Sequence, residues 1–549
     1  MKKFLKIFLL IFILATISCS KENLPSNDNL IKDELSQYQS EQWDGVKRGG
    51  VYYEIFVRSF ADGDGDGIGD LKGITAKLDY LNELGISGIW LTPIFKASSY
   101  HGYDIEDYFD INSEYGTISD FNQLITKAHS LGIKVVLDFV LNHTSKYHPW
   151  FLSAKSSITS NYRNFFIFEK SDQISTRVSQ GLVPMTQVYY ADQWKSIDIG
   201  TTDYKYLGIF SDWMPDLNYG AVESCQTSPA FIEMCNAAKF WITKGVDGFR
   251  LDAVKHIYQN EDSYENPLFL SKFFNEIKKV KPDIYMIGEV FTTDYSKVAP
   301  YYSGLPAFFN FDAWNKLIYA INNSHAKWFP YDLINMGNAF KNVRADYIDA
   351  LKLSNHDEDR ALSVLDGNSA KGKIAAAILL TVGKSPYIYY GEEIGMLGYK
   401  GGDDRNVREP FLWTVSPGDS YTTKWYNGTN STYSTITPLS VQKTDKYSLY
   451  NVYKKFIELR NSYPALAYGT LTLPTNFDSY SKNFMAFYRE YNGQKLIIIH
   501  NVSSGTSIFT VNHTVDKAIA DFNRVTYSKQ KNSSVAVTMP PYSSIIFVI

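Results

Sequence analysis

Residues 245–254 read GVDGFRLDAV. The run is short, framed by glycine, and mixes apolar and β-branched residues in the manner of a buried strand. Arg250 and Asp252 stand two places apart, so on a strand both face the same side. A cation and an anion side by side on a strand that reads as buried call for an explanation. Seven further runs resemble this one: VYYEIFVRSF (51–60), GISGIWLTPI (85–94), GIKVVLDFV (132–140), DIYMIGEV (283–290), PAFFNFD (306–312), YIDALKLSNHD (347–357) and SPYIYYGEE (385–393). Stretches with helical spacing lie between them, among them LKGITAKLDYLNELG (71–85) and DFNQLITKAHSLG (120–132). Eight β/α units in succession predict an α/β chain folded as a (β/α)8 TIM barrel.

The units are unevenly spaced. The third run ends at Val140 and the fourth opens at Gly245, and the interval is rich in Tyr, Trp, Ser and Asp. It reads as a loop domain inserted after strand 3. Beyond Tyr463 the pattern turns to alternation, in NFMAFYRE, KLIIIHNV and SSIIFVI. That predicts a C-terminal antiparallel β-sandwich. The expected organisation is a leader (1–19), a flexible tether (20–48), the first part of the barrel (49–144), the insertion (145–215), the second part of the barrel (216–462) and the sandwich (463–549).

Composition bounds the function. The chain has 549 residues, 44% hydrophobic and 20% charged, which is the profile of a globular protein. Its net charge of −4 supplies no electrostatic reason to bind nucleic acid. The leader MKKFLKIFLLIFILATISC carries Lys2, Lys3 and Lys6 ahead of an apolar run from Ile7 to Ile17, too short to span a bilayer. It ends at Ser18-Cys19 and resembles a bacterial lipoprotein signal, with Thr16 where leucine is usual; an ordinary cleaved signal is the alternative. On the first reading Cys19 carries a lipid, and Ser20-Lys21-Glu22 resembles the charged tag of surface lipoproteins. The expected location is the outer membrane, facing outward. Cys225 and Cys235 remain, and their pairing is open, because spacing alone does not establish disulfide geometry. No Cys/His spacing points to zinc.

One loop is unusual. ADGDGDGIGDLKGI (61–74) places Asp62, Asp64, Asp66 and Asp70 within nine positions. Alternating carboxylates suit Ca²⁺, and the first positions match an EF-hand, with Gly67 sixth and the Ile68 carbonyl seventh. The twelfth position is Gly73 instead of a bidentate glutamate, so the loop is not an EF-hand.

Chemistry in a TIM barrel belongs at the C-terminal strand ends. There stand Asp138, Asn142 and His143 after strand 3; Arg250, Asp252, Lys255 and His256 on and after strand 4; Glu289 after strand 5; and His356 and Asp357 after strand 7. Three carboxylates converge from three strands. A carboxylate after a strand can also merely cap a helix, but four such segments in order are hard to explain that way.

These segments, with YHGYD, GVDGFRLDAVKHIY, YMIGEV, LKLSNHDEDR and PYIYYGEE, resemble the signature regions of the α-amylase family, glycoside hydrolase family 13. Within it they are most similar to surface-anchored amylases of bacterial starch-utilisation systems. The resemblance implies a retaining hydrolase in which Asp252 is the nucleophile, Glu289 the acid/base and Asp357 the third carboxylate. Arg250 would keep Asp252 ionised, and acidic neighbours would raise the pKa of Glu289. Tyr103 would stack on the cleaved sugar, His143 and His356 would hydrogen-bond it, and Arg408 matches an arginine used at that subsite. The pair Lys255-His256 is typical of members binding α-1,4-glucan on the leaving-group side, with pullulan as a further substrate. The acidic loop resembles a family calcium site formed by Asp62, Asp64, Asp66, the Ile68 carbonyl and Asp70. A second Ca²⁺ is implied at Asn142, Asp216 and the His256 carbonyl. Starch or malto-oligosaccharide is the implied substrate, and outer-membrane starch-binding and uptake proteins are the implied partners. Two rivals stay open: an oligo-1,6-glucosidase or α-glucosidase acting on short oligosaccharides, and a glycan-binding protein without turnover, against which the intact carboxylates argue.

Overall fold

The computed structural model describes residues 50–183, 193–197, 203–258, 260–415, 419–530 and 533–549. The leader, Cys19 and the tether lie outside the described residues, as do parts of the insertion. Eight parallel strands close a barrel: β1 (Tyr52–Ile55), β2 (Gly88–Leu91), β3 (Lys134–Val140), β4 (Gly248–Asp252), β5 (Tyr285–Gly288), β6 (Ala307–Phe309), β7 (Ile348–Lys352) and β8 (Ser385–Tyr389). They follow one another around the barrel in chain order, and β8 pairs with β1 through Tyr387 opposite Tyr52. Each lies within one of the eight predicted runs.

The helices form where sequence and caps agree. Helix α1 (Leu71–Leu84) starts at Asp70, whose carboxylate accepts from the Gly73 amide, and stops at Gly85, whose φ of 90° requires glycine. Its buried Leu71, Ile74, Leu78 and Leu81 recur at helical spacing, so one face packs on the sheet. Helix α2 (Ile118–Ser130) opens with a reciprocal capping box between Thr117 and Asp120.

Alternation along the strands sets what stands inside the barrel. Tyr285 and Ile287, Ala307 and Phe309, Ile348 and Ala350 share one inner cluster with Tyr52, Trp90, Val136 and Tyr387. Tyr52 stacks on Tyr387 with ring centroids 4.8 Å apart, closing the lower layer. Two residues further along β3 from Val136 comes Asp138, and Arg250 and Asp252 stand two and four residues beyond Gly248 on β4. The same inward face therefore turns from apolar to charged toward the C-terminal mouth.

The insertion after β3 contains a three-stranded antiparallel sheet of Phe168–Lys170, Tyr204–Leu207 and Trp194–Ser196. A bridge between His143 and Asp216 closes its base, and one between Phe166 and Leu217 ties it to the barrel. At the C-terminus a five-stranded and a three-stranded antiparallel sheet enclose a separate core that includes Phe484, Ile497, Phe509, Val537 and Phe547. Buried Arg489 joins this unit to the barrel, donating to the carbonyl of Val382 (2.7 Å). Cys225 and Cys235 are both free and buried.

Candidate active site

The charged mouth is built around one guanidinium. Arg250 is fully buried, and its Nη1 donates to Asp138 Oδ1 (2.8 Å) and to Asp252 Oδ1 (2.6 Å). Its Nη2 donates to Glu289 Oε2. Asp138 is fixed from three directions, accepting also from Trp90 Nε1 (3.2 Å) and Tyr103 Oη (3.0 Å). The Trp90 ring lies 5.0 Å from the guanidinium carbon. Charges this deep survive only when paired and hydrogen-bonded.

A second cation faces the first. His356 is fully buried between Glu54 of β1 (Nδ1 to Oε1, 2.6 Å) and Asp357 (Nε2 to Oδ2, 2.9 Å). Burial opposes charging this ring, but the two carboxylates win and push its pKa up to about 10, so it stays an imidazolium. Nε2 also donates to the Tyr103 hydroxyl at 2.6 Å, and the two rings stack at 5.6 Å. Both ring nitrogens are thus engaged inside the protein. In this arrangement the ring holds Asp357 and Tyr103 in place.

Arg408 completes the set. Its Nη2 donates to Asp357 (2.9 Å) and Asp404 (3.2 Å), and its Nε to the His356 carbonyl (2.9 Å). Burial would raise the Asp357 pKa, yet His356 and Arg408 hold it well below the usual carboxylate range. Asp357 is therefore an anion at every working pH. Asp252 behaves differently. Burial is the strongest influence on it, and with Asp138 and Asp357 nearby it outweighs Arg250, pushing the pKa up to about 6. The expectation that Arg250 keeps Asp252 ionised is corrected to that extent: the cation opposes a larger desolvation effect. The Glu289 pKa is raised as expected, but burial is the first cause, opposed by Arg250, and the acidic neighbours Asp252 and Asp357 add to it.

Asp252, Glu289 and Asp357 line one cavity of about 380 Å³, together with Tyr103, His143 and Arg408. Lys255 and His256 also line it, from a short 3-10 turn (Val254–His256) that follows Ala253. Ala253 has φ 43°, a left-handed conformation that costs a non-glycine residue strain. Burial lowers the pKa of His143 to about 3 and of His256 to about 4, so both are neutral. The exposed Phe210 of the insertion meets both rings edge-on, at 5.2 and 5.3 Å. A neighbouring cavity of about 410 Å³, lined by Ser98, Asp104, Ser211 and Trp213, shares His101 and Met214 with the first.

Sequence reasoning missed Glu54 and left Asp138 without a role. The signal for both was there: a carboxylate at an inward position of an otherwise apolar strand. Phe210 carried no signal, because its place at the cavity depends on how the insertion folds back.

In the acidic loop, carboxylate oxygens of Asp62, Asp64 and Asp70 lie within 4.8 Å of one another. Calcium takes oxygen ligands at roughly 2.3–2.6 Å, so ligands across one ion stand about 5 Å apart or less, and the trio fits. Asp66 is not with them. It is exposed, and its Oδ1 accepts from the Ile68 amide at 2.7 Å. Asp62 is oriented by the amides of Gly65 (2.6 Å) and Gly67 (2.8 Å), both glycines at positive φ. At the second implied site Asn142 and Asp216 do meet, through an Asn142 Nδ2 to Asp216 Oδ1 hydrogen bond of 3.2 Å. Two such side chains are fewer donors than the six to eight oxygens calcium takes.

With the geometry in place, the comparisons with known proteins agree. The profile of the alpha amylase catalytic domain matches residues 54–469, and that of the alpha-amylase SusG C-terminal domain matches residues 484–546. Alpha-amylase SusG of Bacteroides thetaiotaomicron is 36% identical, with 92% of each chain covered. An oligo-1,6-glucosidase of Parageobacillus thermoglucosidasius is 31% identical, covering 84% of this chain and 91% of its own. The crystal structure of an alpha-amylase from H. orenii superposes with a TM-score of 0.81 at 36% identity, covering 91% of this chain and 99% of that one. The chain belongs to the α-amylase family of glycoside hydrolases, with an SusG-type domain at its C-terminus.

Proposed function

We propose that this amylase-type hydrolase is a retaining, endo-acting α-amylase that cuts α-1,4-glucosidic bonds of starch and related glucans. The observation that carries the retaining mechanism is the pairing of Asp252 and Glu289 on the two arms of Arg250. One guanidinium holds both carboxylates within a few ångströms, which suits the separation of roughly 5–5.5 Å in retaining enzymes. In the first step Asp252 attacks C1 of the sugar, the glycosidic C1–O bond breaks, and Glu289 gives its proton to the departing oxygen. In the second, water attacks C1, Glu289 takes the water proton, and the bond to Asp252 breaks, so one water is consumed and the anomeric configuration is kept. Asp357, held ionised, suits a grip on the sugar hydroxyls, and Tyr103, His143, Lys255, His256 and Arg408 shape the subsites around it.

The neighbouring cavity joined through His101 and Met214 supports the endo reading, since it extends the cleft past the bond to be cut. The likeness to oligo-1,6-glucosidases keeps one rival in view: action on short oligosaccharides. Soluble amylose and pullulan, followed by NMR of the anomers, separate the two. Internal cleavage of amylose to α-anomeric products, absent in Asp252→Asn, is the expected result. Intact amylose beside cleaved isomaltose-type sugars overturns it.

Calcium in the loop of Asp62, Asp64 and Asp70 belongs to this proposal, with the Ile68 carbonyl as a further ligand. Bound there, the ion would offset repulsion among the carboxylates. The protein's own part is to fasten the loop: Asp70 also caps α1, so the loop is anchored to the barrel wall. A lipid on Cys19 and an outer-membrane, outward location complete the reading, on the strength of the leader sequence. Among the described residues no helix is long and apolar enough to cross a membrane.

A further inference from the structure

Strand β1 carries one carboxylate, Glu54, among apolar and aromatic residues. It is buried, in register with Trp90 of β2 on one side and Tyr389 of β8 on the other. A carboxylate in such a place needs a partner. Its side-chain hydrogen bonds among the described residues all go to His356: Oε1 accepts from the ring Nδ1 at 2.6 Å and from the His356 amide at 3.3 Å. Neither Glu54 nor His356 lines the catalytic cavity, so any effect of Glu54 on a sugar passes through other side chains.

Those side chains form a line. Nε2 of the ring stands 2.9 Å from Asp357 and 2.6 Å from the Tyr103 hydroxyl. That hydroxyl donates to Asp138 Oδ2 at 3.0 Å, and Asp138 is held by Arg250, the cation that also holds Asp252 and Glu289. The line depends on a proton at Nε2. Glu54 takes the Nδ1 proton, so a neutral ring would leave Nε2 as a bare acceptor. Its lone pair would then face the Asp357 carboxylate, and Tyr103 would have to turn its proton from Asp138 to the ring. Asp138 of β3 and Glu289 after β5 also feel the charge of the ring, and Arg408 Nε donates to the His356 carbonyl at 2.9 Å. Asp357 is shared with Arg408, whereas Asp138 and Glu289 are bound to Arg250.

We propose that Glu54 is a positioning residue for the hydrolysis: it keeps His356 an imidazolium, and through that ring it sets the Tyr103 hydroxyl and the Asp357 carboxylate against the sugar to be cut. The proposal rests on the α-glucan hydrolase reading of the cavity. The ring pKa, pushed up to about 10 by Asp357 and Glu54 against burial, agrees with it.

The test uses the full chain with two variants. Glu54→Gln keeps an acceptor for Nδ1 but not the charge, and Glu54→Asp keeps the charge. The His356 ring is titrated by NMR on histidine-labelled protein, its signal assigned by its loss in His356→Gln. The wild-type ring should stay charged from about pH 5 to about pH 9. In Glu54→Gln it should titrate about one to three pH units lower, and in Glu54→Asp close to wild type. Over the same range kcat/KM on maltotetraose is compared with wild type. The Glu54→Gln ratio should hold steady below the variant's own His356 pKa and fall about tenfold above it, with Glu54→Asp restoring most of the loss. A loss equal at every pH, or a lowered His356 pKa without a matching fall in the ratio, overturns the proposal. If the wild type cuts no α-glucan, the hydrolase reading falls by that result alone, and the NMR titration still decides whether Glu54 charges the ring.

Discussion

Two crowded sets of carboxylates among the described residues are dealt with in opposite ways. At the barrel mouth, Asp138, Asp252, Glu289 and Asp357 are held by cations that belong to the chain: Arg250, His356 and Arg408. In the loop after β1, Asp62 and Asp70 are held by backbone amides, and Asp64 has the Lys72 ammonium 4.0 Å away. A cation built into the chain is permanent, so its geometry can set each carboxylate's protonation separately. A cluster without one is suited to a partner that comes and goes. The first arrangement serves proton transfer and the second serves attachment.

Each prediction breaks one side of that contrast. The largest effect should come from the mouth itself. Asp252→Asn should lower kcat by about 10⁴-fold or more, and Glu289→Gln by about 10²–10⁴-fold, with KM on soluble starch little changed. Neither change should alter the response of the melting temperature to calcium.

Removing the built-in cation comes next. Arg250→Met leaves Asp138, Asp252 and Glu289 without their counter-charge in a buried place. It should cost about 3–5 kcal/mol in urea unfolding, beyond its effect on rate. Chelation attacks the other cluster. With calcium at about a hundredfold excess over its dissociation constant, stability should rise by about 2.7 kcal/mol over the chelated protein. Asp62→Asn should abolish most of that gain, while kcat at low temperature stays near wild type. Equal melting curves with and without chelator in the wild type would remove calcium from the loop.

Protonation sharpens the comparison further. The Asp252 pKa of about 6 lies above its unfolded value, so the folded state binds this proton more tightly. The stability it contributes is full below the unfolded pKa and is lost as pH rises through about 6. Asp252→Asn should therefore melt above wild type at pH 8, and the difference should vanish at low pH. For the same reason kcat/KM of the wild type should fall as pH drops through that value, since the attacking group must be ionised. The smallest effect should be at Ala253. Its positive φ favours glycine, and Ala253→Gly should gain a few tenths to about 1 kcal/mol in thermal melting.

Much of this was legible along the chain. Eight β-runs separated by helical patterns are local features, and strand ends in a barrel are catalytic by topology, so Asp252, Glu289 and Asp357 stood out before any coordinates. The acidic loop was legible for the same reason, being contiguous. Asp66 shows the limit: spacing placed it with its neighbours, but its side chain turned to the Ile68 amide. Alternation on a strand says which residues share a face, and so it joined Arg250 to Asp252.

What the sequence by itself determined is the barrel, the order of its strands, and which side chains reach the mouth, because these follow from periodicity and chain order. Only the tertiary structure decided that Glu54 and Asp357 charge His356, that Asp252 is pushed up in spite of Arg250, and that Phe210 of the insertion closes on His143 and His256. These depend on distances between residues remote in the chain and on how completely water is excluded. Desolvation and charge pairing are properties of a place in the fold, and no single segment carries them.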